Sequence, residues 1–190
     1  MDSKGILFIV AAPSGTGKTT IVRRILKEFP EIVFSVSATT RKKRENETDG
    51  KDYFFLTEDE FRKKIENDEF AEWEKFYDYY YGTLRRYLED NLGEGKSVLL
   101  EIDVKGALKI KEKYPEAVLI YILPPSFEEL VNRLKNRQTE DEVDLKKRIE
   151  RAEMELRLKD YFDYFIHNVE IEQAVSDIKS LIGNIIKEKK

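Results

Sequence analysis

Short runs of continuous apolar residues alternate along this chain with longer stretches whose apolar positions recur every three or four residues. Gly5-Ile6-Leu7-Phe8-Ile9-Val10-Ala11-Ala12 ends in Pro13-Ser14-Gly15. A run of that length, closed by turn residues, predicts a strand buried on both faces. Ile21, Val22, Ile25, Leu26 and Phe29 then keep helical spacing until Pro30 stops the helix. Ser97–Ile102, Ala117–Leu123 and Tyr164–His167 read as three further buried strands. Asp103 and Gly106 precede a polar helix that ends near Tyr114-Pro115, and Ala174, Ile178, Leu181, Ile182 and Ile185 share one side of a last helix. Buried strands alternating with helices imply an α/β fold, with a parallel sheet covered on both faces.

Two stretches break the alternation. Phe34–Gly82 is polar and tyrosine-rich, with short alternating segments at Tyr53–Leu56 and Phe70–Tyr77. Between them, Thr57-x-x-Glu60 is a capping box that opens a short helix. Ser126–Phe162 is helical and dense in charge, opened by a second capping box, Ser126-x-x-Glu129. Both read as excursions from one core. They lie above the carboxyl ends of the strands, where parallel sheets bind ligands.

Composition narrows the chemistry. A chain of 190 residues makes one domain, or one core with small insertions. Charged residues are 38% of it, yet the signs are mixed and the net charge is only −4. Such a surface has no broad basic field, so nucleic acid and anionic membranes are not expected partners. Cysteine is absent, which excludes disulfides, thiolate metal sites and a cysteine nucleophile. The single histidine, His167, excludes a multi-histidine metal site; it follows a strand and reads as structural. No apolar run approaches the ~20 residues needed to span a bilayer. The start, Met-Asp-Ser-Lys-Gly, lacks a basic n-region and a cleavage site, so the expectation is a cytoplasmic protein.

The first strand-to-helix junction reads Ala12-Pro13-Ser14-Gly15-Thr16-Gly17-Lys18-Thr19. The phosphate-binding pattern is G-x-x-x-x-G-K-[ST], and only Ala12 departs from it. Gly15 and Gly17 permit backbone angles closed to other residues, so successive N–H groups can point inward around an anion. The following helix aims its positive end at the same place. Lys18 offers an ammonium to the β- and γ-phosphates of a nucleotide, and Thr19 offers a hydroxyl to Mg²⁺.

Residues 35–56 carry a second signal. Arg41 and Arg44 are two forked donors three residues apart, suited to bidentate phosphate recognition, and Tyr53 adds a hydroxyl. Here the sequence closely resembles the guanylate kinase family. Thr39, Thr40, Arg41, Arg44, Glu47, Gly50, Tyr53, Phe55 and Leu56 satisfy every position of that family's signature. Further matches run the length of the chain: Ala12–Thr19, Glu69-Phe70-x-Glu72-Trp73, Tyr80-Tyr81-Gly82-Thr83, Leu100-Glu101-Ile102-Asp103, Ile122–Ser126, and Asp163-Tyr164 with Asn168.

The resemblance implies a P-loop three-layer fold built on a parallel five-stranded sheet. The core is expected at about 1–34, 85–125 and 161–190, a mixed α/β GMP-binding insertion at about 35–84, and a helical lid at about 126–160. By the resemblance, Ser37, Glu72 and Thr83 contact guanine, while Arg41, Arg44, Tyr53 and Tyr81 hold the GMP phosphate. Arg137 and Arg148 reach from the lid to the phosphates being exchanged, with Lys18 and Arg44 as further catalytic groups. Asn168 matches a contact near the ATP adenine. Glu101 and Asp103 match the acidic pair that ends the strand beside the phosphate loop; which one meets guanine and which a Mg²⁺-bound water stays open. The implied partners are ATP with Mg²⁺ and GMP, with no obligate protein partner. Departures from the usual family pattern are Arg41-Lys42-Lys43-Arg44-Glu45-Asn46-Glu47, which lacks its prolines, Asn136-Arg137-Gln138, which lacks its glycines, and Lys105 in place of glutamine.

The implied reaction converts ATP and GMP to ADP and GDP. Its nucleophile is a phosphate oxygen that is already anionic, so no catalytic base is required. The difficulty is bringing two polyanions together, and converging positive side chains answer it. Glu72 can accept hydrogen bonds from guanine N1–H and the 2-amino group, donors that adenine lacks. Two other outcomes fit parts of the sequence: a silent phosphopeptide-binding scaffold, against which Gly17, Lys18 and Thr19 argue, and a kinase for AMP, UMP or dTMP, against which Glu72 and Ser37 argue. A lid that brings in arginines only when both nucleotides are bound keeps water from the γ-phosphate, so closure of the molecule on its substrates is expected. Arg133 shares the charged helix with Arg137 and reads equally well as a surface ion pair. Of the cluster Tyr77, Tyr79, Tyr80 and Tyr81, only Tyr81 reads as a ligand contact.

Overall fold

The computed structural model describes residues 5–76, 78–136 and 142–189. The first apolar run becomes β1 (Leu7–Ala11), with all five residues buried. It lies at the centre of a five-stranded sheet whose strands are all parallel. On one side come β7 (Val98–Ile102) and then β2 (Val33–Ser35); on the other come β8 (Val118–Leu123) and then β9 (Tyr164–His167). Alternate side chains of β1 feed opposite faces, as strand geometry requires. Phe8 and Val10 pack with α1 (Lys18–Glu28) and α7 (Ile171–Glu188). Leu7 and Ile9 pack with Leu88 of α3 (Arg85–Gly93) and with Ala107 and Ile110 of α4 (Val104–Lys113). The result is the expected three-layer arrangement. β2, which no continuous apolar run announces, supplies the fifth strand.

The polar stretch after β2 folds into a second, mixed sheet in the order β4 (Phe54–Phe55), β3 (Ala38–Thr39), β6 (Tyr79–Leu84), β5 (Phe70–Phe76). Its core is the aromatic stack of Phe61 on Phe70 and Tyr80, at centroid distances of 4.3 and 5.3 Å. Phe61 comes from α2 (Glu58–Glu66). The capping box that opens α2 is complete: Glu60 N–H donates to Thr57 Oγ1 at 3.2 Å, and Thr57 N–H donates to the Glu60 carboxylate at 2.7 Å. Tyr80 is therefore core and Tyr79 solvent-facing, while Tyr77 lies outside the described residues.

The second charged stretch forms α5 (Phe127–Lys135) and α6 (Glu142–Leu156). The box expected at Ser126-x-x-Glu129 is only half made. Glu129 N–H donates to Ser126 Oγ at 3.0 Å, but the Glu129 carboxylate accepts from Arg133 Nε at 2.9 Å. An opposite charge one turn on outcompetes the neutral backbone N–H at the cap. Arg133 is thus the surface ion pair of its two readings. His167 ends β9 on the surface.

Candidate functional site

The carboxyl ends of β1 and β7 open into a cleft of about 340 Å³. Three separate parts of the chain line it: the loop 12–19 with the end of β7, the second sheet, and α6. The loop turns on Gly15 and Gly17, whose φ values of +92° and +88° lie in the left-handed region. Thr16 is buried and donates its hydroxyl hydrogen to the Pro13 carbonyl. Leu130 and Leu134 of α5 pack on the loop from outside: a Cβ added at Gly15 would meet them at 3.1–3.3 Å. Gly17 caps α1, so the positive end of that helix faces the cleft. Lys18 reaches across to the Ile102 carbonyl at 2.6 Å. Thr19 Oγ1 donates to Glu101 Oε1 at 2.5 Å.

Asn168, which the resemblance matches to the adenine region, lies against the phosphate loop. It is buried and absent from the cleft wall, and its Nδ2 donates to the Thr16 carbonyl at 2.6 Å. That amide clamps the loop from behind, because the loop's outward carbonyls need a donor that a buried backbone cannot find locally. Its Oδ1 is buried with no hydrogen-bond partner among the described residues.

From the second sheet come Glu72 and Tyr81, and from the segments flanking β3 and β4 come Ser37, Arg44 and Tyr53. Glu72 is 6% exposed, and Thr83, fully buried beneath it, donates its hydroxyl hydrogen to Glu72 Oε1 at 2.8 Å. Burial pushes the Glu72 carboxyl up to about 7; the Thr83 hydrogen bond pulls the other way, and Asp103 and Glu74 repel its charge. Tyr53 is likewise pushed up to about 12, by burial and by Glu101 and Tyr81, and so stays a neutral donor. Arg44 is exposed on the cleft. Arg41 is not part of the wall: Glu47 clasps it through both oxygens at 2.7 and 3.0 Å, and its guanidinium lies 5.4 Å from the Tyr53 ring centre. Glu47 also accepts from Arg44 N–H at 2.8 Å. The carboxylate thereby ties the two arginines together without the prolines that the sequence lacks.

The third side is α6, which brings Arg148, Arg151 and Glu155 to the same cleft. Arg137 lies outside the described residues. The structure thus brings Lys18, Arg44 and Arg148 around one cavity. Sequence reasoning missed Arg151, Glu155, Phe76 and the role of Glu47. A signal for the first two existed: Arg148, Arg151 and Glu155 follow each other at helical spacings of three and four. The donors near the loop are hard oxygens: the Thr19 hydroxyl, the Glu101 carboxylate it touches, and Asp103 at the next turn of chain. That set fits Mg²⁺ held largely by phosphate oxygens and water.

The guanylate kinase family model matches residues 4–185. The chain belongs to the guanylate kinase family. Guanylate kinase from Thermotoga maritima is 49% identical over 179 residues, 94% of this chain and 86% of that protein. Guanylate kinase from Caldanaerobacter subterraneus subsp. tengcongensis is 48% identical over 182 residues, 96% of this chain and 88% of that protein. Among solved structures, the crystal structure of guanylate kinase from Anaplasma phagocytophilum matches with a TM-score of 0.80 at 34% identity, covering 96% of this chain and 87% of that one. As a guanylate kinase the chain is a nucleotide-binding phosphotransferase. No helix among the described residues is long and apolar enough to cross a membrane.

Proposed function

We propose that this enzyme carries out ATP + GMP → ADP + GDP by direct in-line transfer in the cleft, with the loop 12–19 cradling ATP, the second sheet holding GMP, and α5 and α6 acting as the lid. The observation that supports this most is the meeting of Lys18, Arg44 and Arg148 around one cavity that also contains the buried acceptor Glu72. The attacking group is a GMP phosphate oxygen. It is already anionic, so no side chain has to remove a proton, and rate comes from alignment and charge neutralisation.

Lys18 swings from the Ile102 carbonyl to the β- and γ-phosphates. Arg44, Tyr53 and Tyr81 hold the GMP phosphate, with Arg41 beside Tyr53 completing the set. Arg148 and Arg137 neutralise the group in transit. Glu72, held by Thr83, accepts from guanine N1–H and the 2-amino group, and Ser37 and Asp103 flank it. Asn168 keeps the loop in shape under the ATP. Thr19 would hold Mg²⁺, helped by Glu101 or Asp103 through water, and the ion would neutralise phosphate charge there. A reaction that consumes ATP and GMP belongs where those nucleotides are made, and we place it in the cytoplasm.

The test is a coupled assay of ADP production with GMP, AMP and UMP in parallel. Turnover is expected with GMP and should be lower by orders of magnitude with AMP, because a buried acceptor would be left unpaired. Equal rates with AMP would remove the guanine assignment of Glu72. No turnover with any acceptor would leave a binding scaffold.

A further inference from the structure

Arg151 sits where no phosphate is needed to explain it. It is one turn after Arg148 on α6, on the same face of the helix, and its side chain is 18% exposed. Three groups occupy it, each from a different part of the molecule. Its Nε donates to Glu155 Oε1 at 2.6 Å on its own helix, to a carboxylate that is 3% exposed. Its Nη2 faces Asp103 Oδ1 at 3.6 Å, at the end of the core strand β7. Its guanidinium carbon stands 4.0 Å from the ring centre of Phe76, the last residue of β5 in the second sheet. A planar cation flat on an aromatic ring gains from both charge and stacking, which an ammonium on a flexible stem matches poorly.

β5 carries two more groups of this cluster. Glu72, Glu74 and Phe76 are two residues apart and share one face of that strand. Glu74 Oε2 is buried and has no hydrogen-bond partner among the described residues. Burial and Asp103 oppose the charge on Glu74, and Arg151 favours it. Hence the strand that presents the buried acceptor Glu72 also presents an aromatic face to Arg151. Anything that fixes Glu72 fixes that strand and the seat of Arg151.

We propose that Arg151 is a positioning residue that couples occupancy of the Glu72 pocket to the placement of Arg148. It rests on the guanylate kinase reading of the cleft. The acceptor nucleotide, bound at Glu72, holds β5. Phe76 holds Arg151, and Arg151 sets the rotation and height of α6. Arg148, one turn earlier, thereby meets the phosphates only when the acceptor is in place. The device ties the lid to the acceptor, not to the donor.

Arg151→Lys keeps a cation beside the buried Glu155 and so keeps the fold; Glu74→Gln removes a negative charge on β5 that favours the guanidinium. For each variant and the wild type, kcat, the KM for both nucleotides and the thermal midpoint are measured. The Kd for GMP is measured with and without a non-hydrolysable ATP analogue. Arg151→Lys should lower kcat about tenfold or more, since small misplacements of a catalytic group cost up to about 10²-fold. Its Kd for GMP alone should stay within about twofold of the wild type, and the tightening of each nucleotide by the other should shrink. Glu74→Gln should weaken the same tightening, and the double variant should lose less than the two losses multiplied. The proposal is overturned if kcat of Arg151→Lys lies within about twofold of the wild type, or if the tightening is unchanged. A parallel fall of kcat, GMP affinity and thermal midpoint would also overturn it, in favour of a purely structural role. Absence of turnover in the wild type itself would instead overturn the kinase reading, and this inference with it.

Discussion

Glu72 illustrates how much one carboxyl can report. Its pKa is raised from 4.5 to about 7, with burial as the main cause. Ionisation is therefore harder in the fold than in the unfolded chain. The contribution of Glu72 to stability is most favourable below about pH 4.5, declines as pH rises toward about 7, and is constant above that. The penalty above pH 7 is on the order of 3 kcal/mol. Glu72→Gln keeps an oxygen for the Thr83 hydroxyl and removes the charge. The ligand-free protein should then melt several degrees higher than the wild type at pH 8, with little difference at pH 4. GMP binding should respond in the opposite sense. Guanine brings two donors and needs the ionised acceptor, so GMP affinity should fall about tenfold per pH unit below about pH 7 in the wild type. Calorimetric titrations from pH 5.5 to 8 test this, and a flat affinity would remove Glu72 as the acceptor.

At the scale of elements, the phosphate loop and the second sheet make separable predictions. Gly17 has φ +88°, and a Cβ there would also stand 3.1 Å from Asn168 Nδ2. Gly17→Ala should cost about 1–2 kcal/mol from backbone strain alone and displace the amide that clamps Thr16. Its KM for ATP should rise far more than its KM for GMP in steady-state assays. Thr57→Ala removes the cap of α2, remote from the cleft. It should cost about 1 kcal/mol, lower the melting midpoint by about 2–4 °C, and leave kcat unchanged.

Elements also show what was legible in the sequence. The buried strands announce themselves because a parallel sheet covered on both faces demands unbroken apolar runs. The phosphate loop is legible because its chemistry is local, compressed into eight consecutive residues. β2 and β3 are too short to carry a pattern, and Ser126-x-x-Glu129 misled because a cap motif does not reveal the competing Arg133. The Arg151 cluster was hidden for a different reason. Phe76 and Glu155 alone are ordinary residues on ordinary elements, and Asp103, marked in the sequence for guanine or Mg²⁺, meets Arg151 only in three dimensions. Arg41 was readable as a phosphate donor; that Glu47 holds it off the cleft wall was not.

At the scale of the molecule, a chain of net charge −4 gathers arginines and a lysine into one cavity. Attraction of polyanionic substrates into such a cavity is screened by salt over about 8 Å at physiological ionic strength. Raising the salt from 50 to 500 mM should therefore raise the KM for both nucleotides several-fold while the far-ultraviolet dichroism stays constant. Small-angle scattering should show a smaller radius of gyration with a bisubstrate analogue than without; identical profiles would remove domain closure. The order of the sheet has a different implication. Its central strand, β1, finds its partners at Leu7↔Val98 and Phe8↔Val118, some ninety and a hundred and ten residues downstream. During synthesis the ribosome must deliver more than a hundred further residues before β1 acquires both neighbours. The nucleotide cradle that follows β1 thus leaves the ribosome long before the strands that complete the sheet around it, and in the interval its apolar stretch is open to aggregation.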